Sequence, residues 1–114
     1  MEIEIINNKI SQEKLKKITE INYGHMTKGV VDIRKNILAL GGELHADAEA
    51  VLLERGSKQQ DLWGANYYPD RSPGDRIEYV SFINIRPSAR NFAMEVMDAG
   101  LREKIKDLVG KLLP

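Results

Sequence analysis

The sequence predicts an α+β fold, with a mostly antiparallel sheet of four or five strands and two or three helices packed on it. First, short segments of alternating or β-branched apolar residues recur along the chain between turn residues. Second, a segment near each end repeats its apolar residues every three or four positions, as amphipathic helices do. Third, the 114 residues contain no repeat, low-complexity tract or linker, which predicts one domain over residues 1–114.

The first 24 residues predict a strand followed by a helix. Residues 2–6 alternate glutamate with isoleucine, which is typical of a short strand at a sheet edge. Ser11 is a good N-cap for a helix of about three turns, because its hydroxyl can accept a free first-turn N–H. Gly24 lies just past the expected end of that helix.

The next segment predicts a hairpin and then an ambiguous stretch. Residues 30–33 and 37–40 are aliphatic runs separated by a tight turn that ends in asparagine. Residues 43–50 alternate polar and apolar residues as a strand does, yet alanine, glutamate and leucine favour a helix. We expect a short helix over about 46–55, with His45 or Asp47 near its N-cap and Gly56 at its end.

The second half predicts another hairpin and a final helix. Residues 62–68 and 77–85 are predicted strands around a proline-rich polar loop, and apolar residues on both faces of 77–85 indicate a central strand. Residues 88–97 are expected to form a loop with a short extended piece. Asp98 is the expected N-cap of a C-terminal helix, whose apolar stripe contains Leu101, Ile105, Leu108, Val109 and Leu112.

Composition narrows the classes of function. Seventeen Lys and Arg residues balance seventeen Asp and Glu residues, so no global field attracts nucleic acid or an anionic membrane, and nucleic-acid binding is disfavoured. Without cysteine the chain can form no disulfide or thiolate site. The N-terminus lacks the pattern of a signal peptide, and no apolar run is long enough to span a membrane. We therefore expect a cytoplasmic protein with no membrane partner.

Three strings occur together and in order: G-G-E-L-H-A-D-A-E, G-S-K-Q-Q-D-L-W-G-A-N and I-N-I-R-P. Taken together, they resemble a family of small bacterial proteins catalogued as a domain of unknown function. The resemblance extends from about Val30 to Pro87 and is weaker in the final helix. It implies a compact bacterial domain and no particular substrate, cofactor or catalytic residue.

The first of these strings contains the densest group of chemically useful side chains. Glu43, His45 and Asp47 are candidates for acid/base catalysis, because a carboxylate can orient and charge-stabilise an imidazole. Glu43 and His45 are also candidate ligands for a divalent metal, and Asp61 can add a third ligand if the fold brings it close. The structural alternative is that His45 or Asp47 caps the helix while Glu43 is solvated.

The other two strings supply candidate ligand-binding residues. Asn84 and Arg86 share one face of the predicted strand and can form a planar fork for a carboxylate or phosphate. The structural alternative pairs Arg86 with Glu43 or Asp61. Trp63 belongs to a group of aromatic residues that either builds the core or forms a wall for a ligand or a dimer partner.

Two hypotheses for function follow from these residues. One is a small binding or interaction module with an unidentified ligand, which can form a homodimer through a sheet face or edge. The other is a small hydrolase-like enzyme that uses Glu43, His45 and Asp47, with or without a divalent metal, and Arg86 as an anion clamp.

Overall fold

The computed structural model describes residues 1–114 and confirms the α+β class. Five strands form one antiparallel sheet, and three α-helices pack on it. The elements are β1 (Ile3–Ile6), α1 (Gln12–Ile21), β2 (Thr27–Asp32), β3 (Ile37–Gly41), α2 (His45–Glu54), β4 (Leu62–Tyr67), β5 (Ile77–Glu78) and α3 (Ala99–Leu112). The strand order is β1-β3-β2-β4-β5. None of the helices has the length and apolar character that a membrane span requires.

The sheet has a hydrophobic core on each face. On one face, α1 and α3 pack on residues that include Val31, Leu38 and Trp63. On the other face, α2 packs Ala48 and Leu52 on the sheet. Both faces of the central strands are therefore shielded from water, which explains why β3 is continuously apolar and why the consecutive Val30 and Val31 of β2 are both buried.

Local sequence signals set most of the boundaries. The Ser11 hydroxyl accepts the Lys14 N–H (3.1 Å) at the start of α1, and the Asp98 carboxylate accepts the Gly100 N–H (2.9 Å) at the start of α3. In the β2–β3 turn, Asn36 adopts a left-handed conformation with φ of 58°. The edge position predicted for β1 is confirmed.

The ambiguous segment is a helix. Helix α2 begins at His45, and the spacing of His45, Ala48 and Leu52 places these three side chains on its buried face. The Asp47 carboxylate accepts the Leu44 N–H (3.0 Å), so Asp47 stabilises the helix start from within the first turn. Gly56 follows the helix with φ of 93°, a conformation that favours glycine.

The prediction of a central strand over residues 77–85 is wrong. Only Ile77–Glu78 pairs with β4, and β5 is an edge strand. The chain then leaves the sheet and forms a 3₁₀ turn at Phe82–Asn84. Phe82 points into solvent, so the apolar residues of this segment do not reflect burial on two faces. Residues 88–97 are a loop with isolated bridges at Arg86–Asn91 and Val80–Glu95, as expected for this segment.

The chain passes very close to β4 after it leaves the sheet. A Cβ added to Gly64 would lie 2.6 Å from the Ser81 Cβ and 2.7 Å from the Ser81 Oγ. Ser81 is itself buried, so it has no room to move away. Glycine at position 64 is therefore required by close approach of the following segment.

This approach predicts the effect of adding one methyl group. Gly64→Ala should lower the free energy of unfolding by about 1–3 kcal/mol, because the alanine Cβ overpacks against Ser81. Gly110→Ala is the matched control: its Cβ meets nothing within 4 Å in α3, so it should raise stability by about 0.5–1 kcal/mol. Urea unfolding of both variants measures the difference. Equal stability of the two variants would contradict the close approach.

Candidate functional site

The three sequence strings meet at the backbone of β4. The His45 Nε2 lies 2.9 Å from the Ala65 carbonyl oxygen. The Asn84 Oδ1 accepts the Gly64 N–H at 2.8 Å, and the Asn84 Nδ2 donates to the Gly64 carbonyl at 2.9 Å. The Arg86 Nη2 donates to the Leu62 carbonyl at 2.7 Å. Three of the polar residues predicted as a site are therefore brought to one strand, and each of the three contacts a main-chain group.

His45 is a buried structural donor. It is 8% exposed, and its Nε2 donates to the Ala65 carbonyl, which leaves Nδ1 as the acceptor nitrogen of the neutral ring. Burial lowers the pKa of His45 below 6.5, with a further lowering from Lys28, while the hydrogen bond to the Ala65 carbonyl opposes the shift. The imidazole is therefore neutral at pH 7.

The predicted acidic partners do not gather around His45. The Glu43 side chain is exposed, and only its carbonyl is engaged, by the Tyr23 hydroxyl at 2.6 Å. The Asp47 carboxylate is occupied at the start of α2. Asp61 lies in a 3₁₀ turn immediately before β4 and is partly exposed. The chain has no group of three or more His, Asp or Glu side chains placed to hold a metal ion.

Arg86 is held by carbonyl groups instead of acidic side chains. Besides Leu62, its guanidinium donates to the carbonyls of Ile83 (3.3 Å) and Gln60 (3.4 Å). It also lies 4.3 Å from the centre of the Trp63 ring, in cation–π geometry. Burial lowers the pKa of Arg86, and Glu49 on α2 acts in the opposite direction.

The predicted ion pairs of Arg86 with Glu43 or Asp61 are therefore wrong. No acidic side chain lies within ion-pair distance of the Arg86 guanidinium, and the three ion pairs of the molecule involve other residues. The partners of the Arg86 guanidinium are main-chain carbonyls. Trp63 is 4% exposed and cannot form an open aromatic wall.

The sequence did not predict a row of polar side chains that lies beside His45. Lys28, Asn66 and Glu78 are register partners on β2, β4 and β5, so their side chains lie on the same sheet face. The Asn66 Nδ2 donates to the Glu78 carboxylate at 2.8 Å, while its Oδ1 is buried without a hydrogen-bond partner. Only the strand register reveals this row, because its members are far apart in the sequence.

The segment after β5 exposes an unusual set of apolar side chains. Phe82, Ile85, Phe92 and Met97 are 76%, 45%, 66% and 58% exposed. Arg86 and Asn91 form an isolated antiparallel bridge across a tight hairpin, and Ile85 and Phe92 are the next residues along the chain on either side. The Asn91 side chain is buried, whereas the side chains of Ile85 and Phe92 are exposed to solvent. We call these four residues the apolar hairpin surface.

Asn91 fixes the backbone beneath this surface. Its Nδ2 donates to the carbonyls of Asn84 (2.8 Å), Ala93 (3.0 Å) and Glu95 (2.8 Å). Its Oδ1 accepts the Met97 N–H at 2.9 Å. Buried side-chain bonds of this kind replace the regular ladder that the segment lacks. The apolar hairpin surface therefore rests on an ordered base.

Residues 4–112 match the model of a family described as "Protein of unknown function (DUF5674)". The chain belongs to this family. The match confirms the predicted membership of a family of unknown function, and it extends beyond the residues on which the resemblance was based. No curated protein and no solved structure matches the chain.

The buried imidazole predicts a pH dependence of stability. Because the folded-state pKa of His45 lies below 6.5, the unfolded chain binds the proton first. This contribution to stability is complete above pH 6.5 and is lost as the pH falls below it, with a slope of at most about 1.4 kcal/mol per pH unit. The His45→Gln variant has no imidazole to protonate, although its amide can still donate to the Ala65 carbonyl. The part of the pH dependence of the free energy of unfolding that His45 causes should therefore disappear in this variant.

Urea unfolding between pH 7.5 and 5.5 measures this slope. His25→Gln, which removes the exposed imidazole, is the matched variant with which His45→Gln is compared. Parallel pH profiles for the wild type and His45→Gln would contradict the assignment of His45 as a neutral buried group.

The scattered acidic side chains predict how the protein responds to metal ions. Millimolar Mn²⁺, Zn²⁺ or Mg²⁺ should leave the melting temperature unchanged, because no set of ligands is assembled to favour the folded state. Differential scanning fluorimetry measures the response. If a metal ion raises the melting temperature of the wild type but not of His45→Gln, the result would support the predicted metal site.

Proposed function

We propose that this protein is an interaction module that self-associates through the apolar hairpin surface. The observation that supports the proposal is the concentration of Phe82, Ile85, Phe92 and Met97, each at least 45% exposed, on one short segment. Phenylalanine and methionine are enriched at protein interfaces and depleted from ordinary surfaces. Full burial of each such side chain contributes about 1.5–3 kcal/mol.

The ordered base of this surface makes association more favourable. Binding normally costs free energy because loops and side chains lose freedom at the interface. Here Asn84 and Asn91 already fix the backbone by buried hydrogen bonds in the free molecule. The two phenylalanines have few rotatable bonds, so they also lose little on binding. The segment is therefore preorganised to present its apolar side chains.

The charges beside the surface favour a second copy of the same chain as the partner. Arg90 lies at the tip of the hairpin. Glu95 lies on the returning arm, with its carboxylate 3.1 Å from the Arg102 guanidinium; both Arg90 and Glu95 are exposed. A twofold interface places the same patch on both subunits, so it requires a patch that complements itself. Opposite charges at the rim, around an apolar centre, satisfy this requirement.

The hydrolase-like alternative receives no comparable support. An acid/base role requires a histidine nitrogen and a carboxylate that converge on an open pocket. The His45 Nε2 and the Asp47 carboxylate are already used by the Ala65 carbonyl and the Leu44 N–H. The anion clamp assigned to Arg86 is likewise occupied by carbonyl groups.

Self-association is tested by sedimentation at micromolar concentrations. We expect a dimer for the wild type and a monomer for Phe82→Glu and Phe92→Glu, with the dimer dissociation constant raised roughly 30-fold or more for each. Both side chains are exposed, so the variants should still fold, and their melting temperature should fall only by the part that dimerisation contributes at the same protein concentration.

Ile21→Glu is the matched control, because Ile21 is an exposed apolar residue at the end of α1, outside the apolar hairpin surface. It should leave the dimer intact. A monomeric wild type would overturn self-association. A dimer that survives both phenylalanine substitutions would show that another surface forms the contact.

A further inference from the structure

A cleft beside the C-terminal half of α3 combines cationic and apolar groups. Its volume is about 570 Å³, which is within the range of ligand sites. The cleft lies between α3, β5 and the loop before β5. Four cationic side chains surround it: Lys9, Arg76, Lys106 and Lys111. The only acidic side chain among its lining residues is Asp107.

These four cations have no acidic side chain within ion-pair distance. The three ion pairs of the molecule are formed by Lys14, Lys17 and Arg102. Arg76 is oriented by its Nε, which donates to the Arg71 carbonyl at 2.9 Å, and its two terminal nitrogens make no bond within the protein. Because the chain as a whole is neutral, this cluster is a local positive field.

Apolar residues line the floor of the cleft. Those that are at least partly exposed there are Pro73, Ile77 and Pro114, whereas Tyr67, Val109 and Leu113 are buried. The cleft thus has a cationic rim above an apolar floor.

We propose that this cleft binds a small amphiphilic anion, with its charged head at the rim and a short apolar tail on the floor. The head can be a carboxylate or a phosphate, because ammonium and guanidinium groups bind both. A nucleic acid fits less well, since base stacking needs exposed aromatic faces and Tyr67 is buried. This site is independent of the apolar hairpin surface, with which it shares no residue.

Octanoate is a suitable probe, and ¹H–¹⁵N and methyl NMR spectra of the full chain are a suitable readout. Octanoate should cause saturable shifts in the signals of Ile77, Val109 and Lys111. Octanol, which lacks the charge, and inorganic phosphate, which lacks the tail, should each bind more weakly. Shifts of equal size with octanol would overturn the role of the cationic rim. Equal shifts with phosphate would overturn the role of the floor.

Charge reversal on α3 tests the position of the head. Lys106→Glu and Lys111→Glu should each raise the octanoate dissociation constant roughly fivefold or more. Lys104→Glu is the matched control, because Lys104 is an exposed lysine of the same helix that does not line the cleft. It should bind octanoate like the wild type. Equal weakening by all three substitutions, or no weakening, would overturn the proposed site.

Vesicles of phosphatidylglycerol distinguish a soluble amphiphile from a membrane surface. We expect no co-sedimentation with such vesicles at physiological salt, where a patch of four cations is strongly screened. Co-sedimentation that Lys106→Glu abolishes, in the absence of any shift with octanoate, would overturn the proposal and identify the cleft as a lipid-surface contact.

Discussion

The outer edge of β4 is the constraint on which the second half of this molecule depends. Strand β5 pairs only with the end of β4, at Asn66 and Tyr67. The N–H and carbonyl groups before that point would otherwise be buried without partners, at a cost of about 1–3 kcal/mol each. Asn84 and Arg86 supply the missing bonds from their side chains. Two side chains thus replace the continuation of a strand.

This substitution shapes the exposed surface of the protein. Once Asn84 is fixed on Gly64, the following residues form a hairpin over the edge of the sheet, and Asn91 fixes its returning arm. The buried amide side chains of Asn84 and Asn91 bond the backbone, while the apolar side chains of the hairpin face water. The same bonds that complete the sheet therefore create the apolar hairpin surface that we propose as an interface.

The residues with the most reactive side chains serve the fold, while the surfaces proposed for binding are made of ordinary ones. Main-chain groups of β4 form hydrogen bonds with the side chains of His45, Asn84 and Arg86, because a buried polar group must have a partner. The apolar hairpin surface and the cationic cleft draw instead on phenylalanine, isoleucine, lysine and arginine.

Signals between near neighbours in the chain predicted much of the fold. The caps at Ser11 and Asp98, the Asn36 turn and the apolar stripe of α3 act over a few residues, so the sequence alone determined them. The acidic partners proposed for Arg86 were wrong, because its guanidinium bonds main-chain carbonyls.

Contacts between distant residues were decided only by the tertiary structure. Asn84 and Gly64 are 20 positions apart, and nothing in either neighbourhood indicates that an amide side chain will take the place of a strand. The same holds for the row of Lys28, Asn66 and Glu78, which depends on register. The sequence determined where helices and turns begin and end, because those choices are local. Packing decided which polar groups remained free, because burial depends on every element at once.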